Sequence, residues 1–288
     1  MSAPDGLLVV DKPAGWTSHD VVARGRRLAG TRKVGHAGTL DPMATGVLLL
    51  GIGRATRLLG HLALTDKSYD ATVRLGVTTV TDDAEGEVVD VCDAGSVTDE
   101  ALAAEMGALT GDLLQVPSSV SAIKIDGVRS YTRVRAGESV ELRARPVTVS
   151  RFELLARRGD DVDVSVECTT GTYVRALARD LGAALGVGAH LTALRRTRVG
   201  PFAIGQASTL DQLAEALVVV SLDEAVATAF PRRELDADEA TALSYGRALE
   251  PSDRSGVTGA FSPGGRCIAL LEDRDGAARP TVVFAPAG

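Results

Sequence analysis

Residues 35–48 of this 288-residue chain read GHAGTLDPMATGVL and place one acidic side chain, Asp41, in a stretch bracketed by glycines. Glycine adopts backbone conformations that other residues avoid, so we predict a tightly held loop that leads into a buried strand at the apolar run 47–52. Arg32 and Lys33 precede the loop and bring positive charge close to the carboxylate. Because an aspartate before a proline is also common in ordinary turns, the stretch alone leaves Asp41 open between a structural and a chemical role.

Strand and helix patterns alternate on either side of this loop. An apolar run at 6–10 predicts a strand, and Thr17 with Ser18 predicts the cap of a basic helix over residues 19–29 that ends at Gly30. Further along the chain, the patterns predict strands at 67–75, 146–155 and 162–168, helices at 54–64, 98–109 and 173–185, an extended segment at 191–202 and a hairpin turn at 126–127.

A change in composition near residue 230 predicts a separate C-terminal module. Residues 230–233 read FPRR and resemble a linker, and strand patterns follow at 267–271 and 281–285. About 60 residues remain beyond the linker, which is close to the lower size limit for a unit that folds on its own. We therefore expect a small β-rich module at the end of the chain.

Composition and motif content exclude several classes of protein. Hydrophobic residues make up 45% and charged residues 24%, which is ordinary for a globular chain, and the apolar runs are far too short to span a membrane. The N-terminus lacks a basic segment typical of a signal peptide. The three cysteines lie far apart at 92, 168 and 267, which argues against a disulfide framework or a zinc site and favours the reducing cytoplasm.

The sequence also lacks the motifs of the common cofactor enzymes. It has no complete dinucleotide-binding glycine motif, no phosphate-binding Walker loop and no His-Glu-x-x-His, and its four histidines are scattered without metal-ligand spacing. We therefore expect no metal and no cofactor.

Charge is sorted along the chain. The net charge is −7, yet residues 1–60 carry eight basic and four acidic groups, whereas residues 61–125 carry three and twelve. Sorted charge of this kind predicts a basic face on an acidic molecule, as a nucleic-acid partner would need. Charge alone favours the solvated faces of an ordinary soluble enzyme, because a basic patch is only a weak indication of nucleic-acid binding.

The loop at 35–48 resembles the catalytic motif of the bacterial TruB-type pseudouridine synthases, which isomerise the uridine conventionally numbered 55 in the T-loop of tRNA. Other motifs of this family occur in the same order over roughly residues 6–215. They are LLVVDKP at 7–13, KSY at 67–69, TDDAEG at 81–86, QVPS at 115–118, ARPV at 144–147, GTYVR at 171–175 and GAHLTALRR at 188–196.

The resemblance implies an α+β fold. It predicts a pseudouridine synthase domain over residues 1–229, built on a long mixed, mainly antiparallel sheet flanked by helices, and a small β-rich PUA-like domain over 230–288. The second segment departs from the family pattern because it is short and net acidic for a module that contacts RNA. The family resemblance further implies a cytoplasmic monomer that acts on the T-stem-loop of tRNA, needs no guide RNA and has no membrane association.

The resemblance also assigns roles to individual residues. Asp41 matches the catalytic aspartate, Arg175 the arginine that pairs with it, and Tyr69 the ring that stacks on the target base and is a candidate for moving the C5 proton. Further side chains matched to the substrate pocket are His36, Tyr173, Leu194 and Lys12. Candidates for contact with the RNA backbone are Arg24, Arg26, Arg27, Lys33, Arg195, Arg196 and Arg198.

The implied reaction breaks the C1′–N1 bond, rotates the uracil and joins C5 to C1′ without net redox change or hydrolysis. The target base must leave its stack before Asp41 reaches it. The sequence leaves open whether Asp41 attacks C1′, attacks the base or assists a glycal route. It also leaves two other functions open, a tRNA-folding chaperone with an incidental site and a relative that depends on a guide RNA.

Overall fold

The computed structural model describes residues 4–118, 124–125, 128–129, 142–252 and 254–286. The predicted hairpin turn at 126–127 lies outside the described residues, although the short strands on either side of it pair in antiparallel fashion. No helix within the described residues is long and apolar enough to cross a membrane.

Eighteen strands and seven α-helices are described, numbered here in chain order. The strands are β1 (Gly6–Lys12), β2 (Val34–Ala37), β3 (Thr45–Ile52), β4 (Lys67–Leu75), β5 (Val77–Thr79), β6 (Val88–Val91), β7 (Gly111–Gln115), β8 (Lys124–Ile125), β9 (Val128–Arg129), β10 (Arg145–Arg158), β11 (Asp161–Cys168), β12 (Ala189–Val199), β13 (Phe202–Ala203), β14 (Val220–Ser221), β15 (Arg232–Glu234), β16 (Val257–Phe261), β17 (Cys267–Arg274) and β18 (Ala277–Val283). The helices are α1 (Ser18–Ala29), α2 (Leu59–Ala63), α3 (Asp99–Ala108), α4 (Val174–Ala184), α5 (Leu210–Glu215), α6 (Leu222–Ala229) and α7 (Ala237–Ser244).

A ten-stranded mixed sheet forms the centre of the fold. Its strands run in the order β14-β1-β3-β12-β4-β11-β10-β7, with β2 added to β3 and β13 added to β12. Among the described pairings of this sheet, β3 with β12 is parallel and the others are antiparallel. The predicted α+β fold with a long, mainly antiparallel sheet is thus present.

The buried and half-buried strands follow from their sequences. Strand β3 is apolar at nearly every position and is buried along almost its whole length, which is typical of a central strand. Strand β4 alternates, so Tyr69, Ala71, Val73 and Leu75 face the core. Strand β12 lies between β4 and β3. Its Arg196 is paired with Tyr69 of β4 on one side and with Gly46 of β3 on the other. These two registers position the pocket described below.

Helix α1 begins and ends as its sequence predicts. The Thr17 hydroxyl accepts from the backbone N–H of Asp20, the Asp20 carboxylate accepts from that of Thr17, and Gly30 adopts the left-handed conformation at the C-terminus. The predicted helix at 54–64 is different, because a 3-10 helix over Gly53–Leu58 precedes the short α2. Ala55 and Leu58 are both fully buried and stand three residues apart, the spacing that a 3-10 helix places on one face.

A four-stranded sheet in the order β15-β16-β17-β18 forms the C-terminal part. Its Phe261, Leu270 and Phe284 share one hydrophobic core with Leu7 and Leu49 of the large sheet. A second, smaller core within the C-terminal part includes Leu243 and Leu271 and lies against α7. The C-terminal sheet is therefore joined to the rest of the chain by buried apolar surface.

Candidate active site

The loop between β2 and β3 carries Asp41 and is held by two glycines. Gly38 has φ of 82°, and Gly46 has φ of 98°, a region that residues with a side chain rarely adopt. A Cβ on Gly46 would lie 2.2 Å from the carbonyl oxygen of Arg196, so no other residue fits there. The glycine bracket seen in the sequence thus allows the loop to press against β12.

Asp41 belongs to a network of two carboxylates around one guanidinium. Arg175, at the start of α4, faces Asp41 with Nε 3.0 Å from Oδ2 and Nη2 3.3 Å from Oδ1. Its Nη1 lies 3.2 Å from Oδ2 of Asp83 and donates to the carbonyl of Thr81 at 2.9 Å. The side chains of Arg175 and Asp83 are only 6% and 4% exposed, whereas that of Asp41 is 37% exposed. Asp41 is therefore the member of the network that a substrate can reach.

Burial and neighbouring charges set the pKa of Asp41. Burial raises the pKa of this carboxyl above its ordinary value, the positive charge of Arg175 opposes that rise, and the negative charge of Asp83 adds to it. Arg175 thus favours the ionised form as the resemblance implies, but it only partly cancels the effect of burial.

Sequence reasoning missed Asp83 as an individual residue. The acidic loop 81–86 matches a family motif, but it contains three carboxylates and its sequence does not indicate which one turns inward. The structure shows that Asp83 accepts hydrogen bonds from the Thr81 hydroxyl and the backbone N–H of Glu85, and that these contacts aim it at Arg175.

A cavity of about 290 Å³ opens beside Asp41. Tyr69, Tyr173, Leu194 and Arg175 also line it, so the structure brings together five of the residues predicted for catalysis and substrate binding, from two strands, two loops and one helix. Tyr69 is almost completely buried, and this burial raises the pKa of its hydroxyl.

The backbone of Tyr173 is clamped by a side chain from another motif. The buried amide of Gln115 accepts from the Tyr173 N–H at 2.8 Å and donates to the Tyr173 carbonyl at 3.2 Å. This pair of hydrogen bonds fixes the residue that precedes α4 and thereby the direction from which Arg175 enters the pocket.

Lys12 lies beside the loop that carries Asp41 and does not line the cavity. The residue is 0% exposed, and Nζ donates to the carbonyls of Pro13, Trp16 and Pro42 at 2.9, 2.6 and 3.1 Å. Lys12 is matched to the substrate pocket by the resemblance, but it does not line the cavity, because its three donors are spent on backbone carbonyls. It instead ties the end of β1 to the residue next to Asp41.

His36 lies on β2, at the approach to the loop. Its ring meets that of His19 edge to face, with centroids 5.7 Å apart, and burial lowers its pKa. Its Nδ1 is buried without a hydrogen-bond partner among the residues that the structure describes. His36 does not line the cavity beside Asp41, and its role in filling space within the RNA loop stays a prediction.

The candidates for contact with the RNA backbone divide into three groups. Arg26, Arg27 and Lys33 are exposed on α1 or just beyond it, and Arg24 is half-buried on the same helix. Two arginines on β12 already have acidic partners, since Arg195 pairs with Asp11 at 2.7 Å and Arg198 with Glu167 at 3.5 Å.

Arg196 forms the third group and corrects the prediction made for it. The residue is 1% exposed, and its guanidinium donates to backbone carbonyls inside the protein. Arg196 therefore has no surface to offer to a phosphate.

The sequence matches known proteins along almost its whole length. Residues 26–174 match the profile described as TruB family pseudouridylate synthase (N terminal domain). A tRNA pseudouridine synthase B from Rhodococcus jostii (strain RHA1) is 64% identical over 288 residues, which cover 98% of this chain and 94% of that one. The chain belongs to the TruB family of pseudouridylate synthases.

Further members of the TruB family match equally completely. The tRNA pseudouridine synthase B of Thermobifida fusca (strain YX) is 60% identical, over 98% of this chain and 99% of that one, and the Streptomyces coelicolor protein of the same name is 58% identical over 98% of both. Residues 175–239 match the tRNA pseudouridylate synthase B C-terminal domain, and residues 230–285 match the profile described as tRNA Pseudouridine synthase II, C terminal. The chain is thus an enzyme that isomerises uridine to pseudouridine in tRNA.

Solved structures agree with this TruB assignment. A chain of a Cbf5-Nop10-Gar1 complex superposes with a TM-score of 0.78 and 26% identity over 99% of this chain and 87% of its own. A chain of an H/ACA RNP bound to a substrate RNA containing 2′-deoxyuridine gives 0.76 and 26%, over 98% and 85%. The predicted pseudouridine synthase fold with a small β-rich C-terminal part is confirmed.

Activity is expected to fall as the pH rises through about 8. Burial lowers the pKa of Lys12 to about 8, and above that pH the neutral amine keeps two hydrogens for its three carbonyls. In the unfolded chain Lys12 stays protonated up to about pH 10.4. Between about pH 8 and that value the unfolded chain binds more protons than the folded protein, so the contribution of Lys12 to the free energy of unfolding increases with pH. The expected loss of activity is therefore not caused by unfolding. Rates measured from about pH 6 to about pH 9.5 check this.

Two matched variants show which lysine causes the loss of activity at alkaline pH. Burial also lowers the pKa of Lys67 to about 8, so both lysines titrate in the same range. Lys12→Arg keeps its charge and is expected to remove most of the alkaline fall, and any part that only Lys67→Arg removes is assigned to Lys67, which lines the cavity. An unchanged fall in Lys12→Arg would show that another group titrates.

Proposed function

We propose that this enzyme modifies uridine 55 in the T-loop of tRNA, acting on the tRNA alone without a guide RNA. The main support is the paired geometry of Asp41 and Arg175 at the mouth of a cavity large enough for one pyrimidine. Relatives that are 57–64% identical carry the name tRNA pseudouridine synthase B, which supports a tRNA substrate.

In this proposal Asp41 acts at the sugar–base junction of an everted uridine. Breaking the C1′–N1 bond needs a carboxylate close to C1′, and a partly exposed, arginine-bound aspartate provides one. Tyr69 stacks on the uracil, and Tyr173 and Leu194 frame it from two other sides of the cavity. Extruding the base costs a few kcal/mol, which contacts in the pocket offset.

The RNA backbone is proposed to follow the basic end of α1. Arg26, Arg27 and Lys33 are exposed there, and Arg24 lies beside them. His36 lies between this helix and the catalytic loop, where it fills the space that the everted base leaves. Arg195 and Arg198 reach phosphates only by sharing charge with Asp11 and Glu167, so we expect smaller contributions from them.

A T-arm RNA provides the direct test. The full-length protein is incubated with a short RNA that contains the T-loop and its stem, and with no other RNA. Nuclease digestion and mass spectrometry after chemical tagging of pseudouridine then locate the product. Pseudouridine at the T-loop uridine supports the proposal, whereas modification only of another position or only with an added guide RNA overturns it.

The proposal also covers the domain boundary, the number of copies in the active protein and its location in the cell. We place the boundary between the catalytic and C-terminal domains after Ala229, since α6 ends there and β15 begins the second sheet at Arg232. We also propose that the protein acts as a monomer in the cytoplasm, where its tRNA substrate is found. Light scattering of the purified protein with and without T-arm RNA measures the number of copies.

A further inference from the structure

Arg196 is buried directly beneath the catalytic loop. Its Nε donates to the carbonyl of Val47 at 2.7 Å, Nη2 to that of Gly38 at 3.2 Å and Nη1 to that of Thr39 at 3.4 Å. Gly38 and Thr39 lead to Asp41, so one guanidinium holds both the start of this loop and the strand that follows it. The side chain also lines the cavity, next to Tyr69 on the neighbouring strand.

The positive charge of Arg196 is not neutralised by a carboxylate within the described ranges. No aspartate or glutamate oxygen there lies within ion-pair distance of its guanidinium, in contrast to Arg175, which has two acidic partners. A buried charge without a counter-ion is costly, and such groups are normally paired. The three carbonyls accept hydrogen bonds from three of its five N–H groups and leave its charge in place.

A second buried cation lies on the same side of the cavity. Lys67 donates to the carbonyls of Ala63 and Thr65 at 2.9 and 2.7 Å, and burial together with the charge of Arg196 lowers its pKa. Asp41 and Arg175 also line this cavity, and Asp83 contacts Arg175. The cavity is thus lined by two basic side chains, Arg196 and Lys67, that do not belong to the network of Asp41, Arg175 and Asp83.

The reaction passes through a state in which the uracil is negatively charged, and positive charge in the pocket stabilises that state. When the C1′–N1 bond breaks, its electron pair stays on the uracil, where N1, O2 and O4 share the negative charge, and the positive charge that develops at C1′ is balanced by the carboxylate of Asp41 until C5 bonds there. When C5 bonds to C1′, that charge is neutralised, and the C5 proton then leaves while N1 gains one, so that atoms and charge balance. The negative charge exists only between these two steps, so fixed positive charge in the pocket favours the barrier-crossing state over the bound uridine.

We propose that Arg196 stabilises the detached uracil anion from beneath the pocket while it positions the loop that carries Asp41. This inference rests on the proposed function of the cavity, because it assigns the uracil to the space above Arg196. It makes Arg196 a positioning and electrostatic residue of the reaction and excludes it from phosphate binding.

A substrate that stabilises its own anion tests the electrostatic role. Fluorine at C5 withdraws electrons, so cleavage of 5-fluorouridine depends less on charge in the pocket. In single-turnover reactions on T-arm RNA, Arg196→Met is expected to slow consumption of uridine by about 100-fold and of 5-fluorouridine by about tenfold or less. Arg196→Lys restores at least about tenfold on uridine because it keeps the charge.

Binding and folding are measured on the same proteins. The Kd for T-arm RNA is expected to stay within about threefold of wild type, with the same salt dependence. Arg74→Met, which removes a partly exposed arginine from the strand beside Arg196, serves as the matched control with near wild-type rates. Should Arg196→Met fail to fold by circular dichroism, Arg196→Gln supplies the same comparison and keeps one donor for the loop.

Each other outcome overturns the inference in a distinct way. Equal losses on both substrates mean that Arg196 only supports the loop, and wild-type rates mean that it has no role. A weaker Kd with a reduced salt slope means that it contacts phosphate. If the wild-type protein leaves both RNAs unchanged, the proposed function of the cavity is wrong, and this inference is wrong with it.

Discussion

Replacing Asp41 by asparagine is expected to lower the rate of pseudouridine formation by about 10⁴-fold or more, as the loss of a reacting group does in other enzymes. The asparagine keeps the size of the side chain and loses the charge that must act at C1′. T-arm RNA affinity is expected to stay within a few-fold of wild type, because the substitution is nearly isosteric and changes one partly exposed group.

The same substitution is expected to leave the fold as stable as before or slightly more stable. The pKa of Asp41 is raised by burial, so its ionised form is disfavoured in the folded protein, and the stability that this carboxyl contributes is present at low pH and lost as the pH rises through its folded pKa. Asparagine removes that cost at neutral pH and leaves Arg175 paired with Asp83. A rise in Tm of about 2 °C is the expected size for a protein of this length.

Tritium release from C5-labelled RNA measures the rate, and thermal unfolding measures the stability. Asp70→Asn is the matched control, since Asp70 follows Tyr69 on β4 but is exposed and lies outside the network around Arg175. It is expected to change the rate by less than about twofold. Turnover of the Asp41→Asn protein at a substantial fraction of the wild-type rate would remove Asp41 from its catalytic role.

The positions of Asp41 and Tyr69 are predictable because local rules govern them. Glycines bracket the loop of Asp41, and period-two alternation turns Tyr69 toward the core. Motif resemblance alone identifies Arg175, and its distance from Asp41 depends on how α4 docks against the acidic loop. That docking includes the clamp of Gln115 on Tyr173, which no local pattern in the sequence encodes.

Strand β12 shows where a local rule fails. The sequence places Arg195, Arg196 and Arg198 close together without an acid, which predicts that all three contact RNA. Alternation from the buried Leu194 turns Arg196 inward and would turn Arg198 inward too, but the pairing of β12 with β4 shifts register between Arg196 and Arg198, and this irregularity leaves Arg198 partly exposed. The register shift depends on the neighbouring strand, and the carbonyls that accept from Arg196 lie about 150 residues earlier in the chain, so pattern reading could not separate the three arginines.

Removing the guanidinium of Arg175 is expected to cost both activity and stability. In Arg175→Ala, Asp41 and Asp83 lose the cation between them, and Asp83 is almost fully buried. Breaking a buried pair by removing one partner typically destabilises a protein by about 3–5 kcal/mol, and we expect a value in that range from urea unfolding. The pKa of Asp41 rises further without its positive neighbour, so less of it is ionised at neutral pH and the rate is expected to fall by about 10³-fold.

The pH dependence and a second substitution separate the two effects of Arg175→Ala. Because the variant needs a higher pH to ionise Asp41, its rate is expected to rise with pH over a range in which the wild-type rate is flat. Adding Asp83→Asn removes the buried unpaired carboxylate, so the double variant is expected to regain most of the lost stability and little of the activity.

The matched control is Arg179→Ala, one turn further along α4. The guanidinium of Arg179 pairs with Asp82 and Asp180 outside the cavity, and its loss is expected to lower activity by only a few-fold. Equal losses in the Arg175 and Arg179 variants would show that the helix needs its positive charge in general, and that the contact with Asp41 has no special part in the reaction.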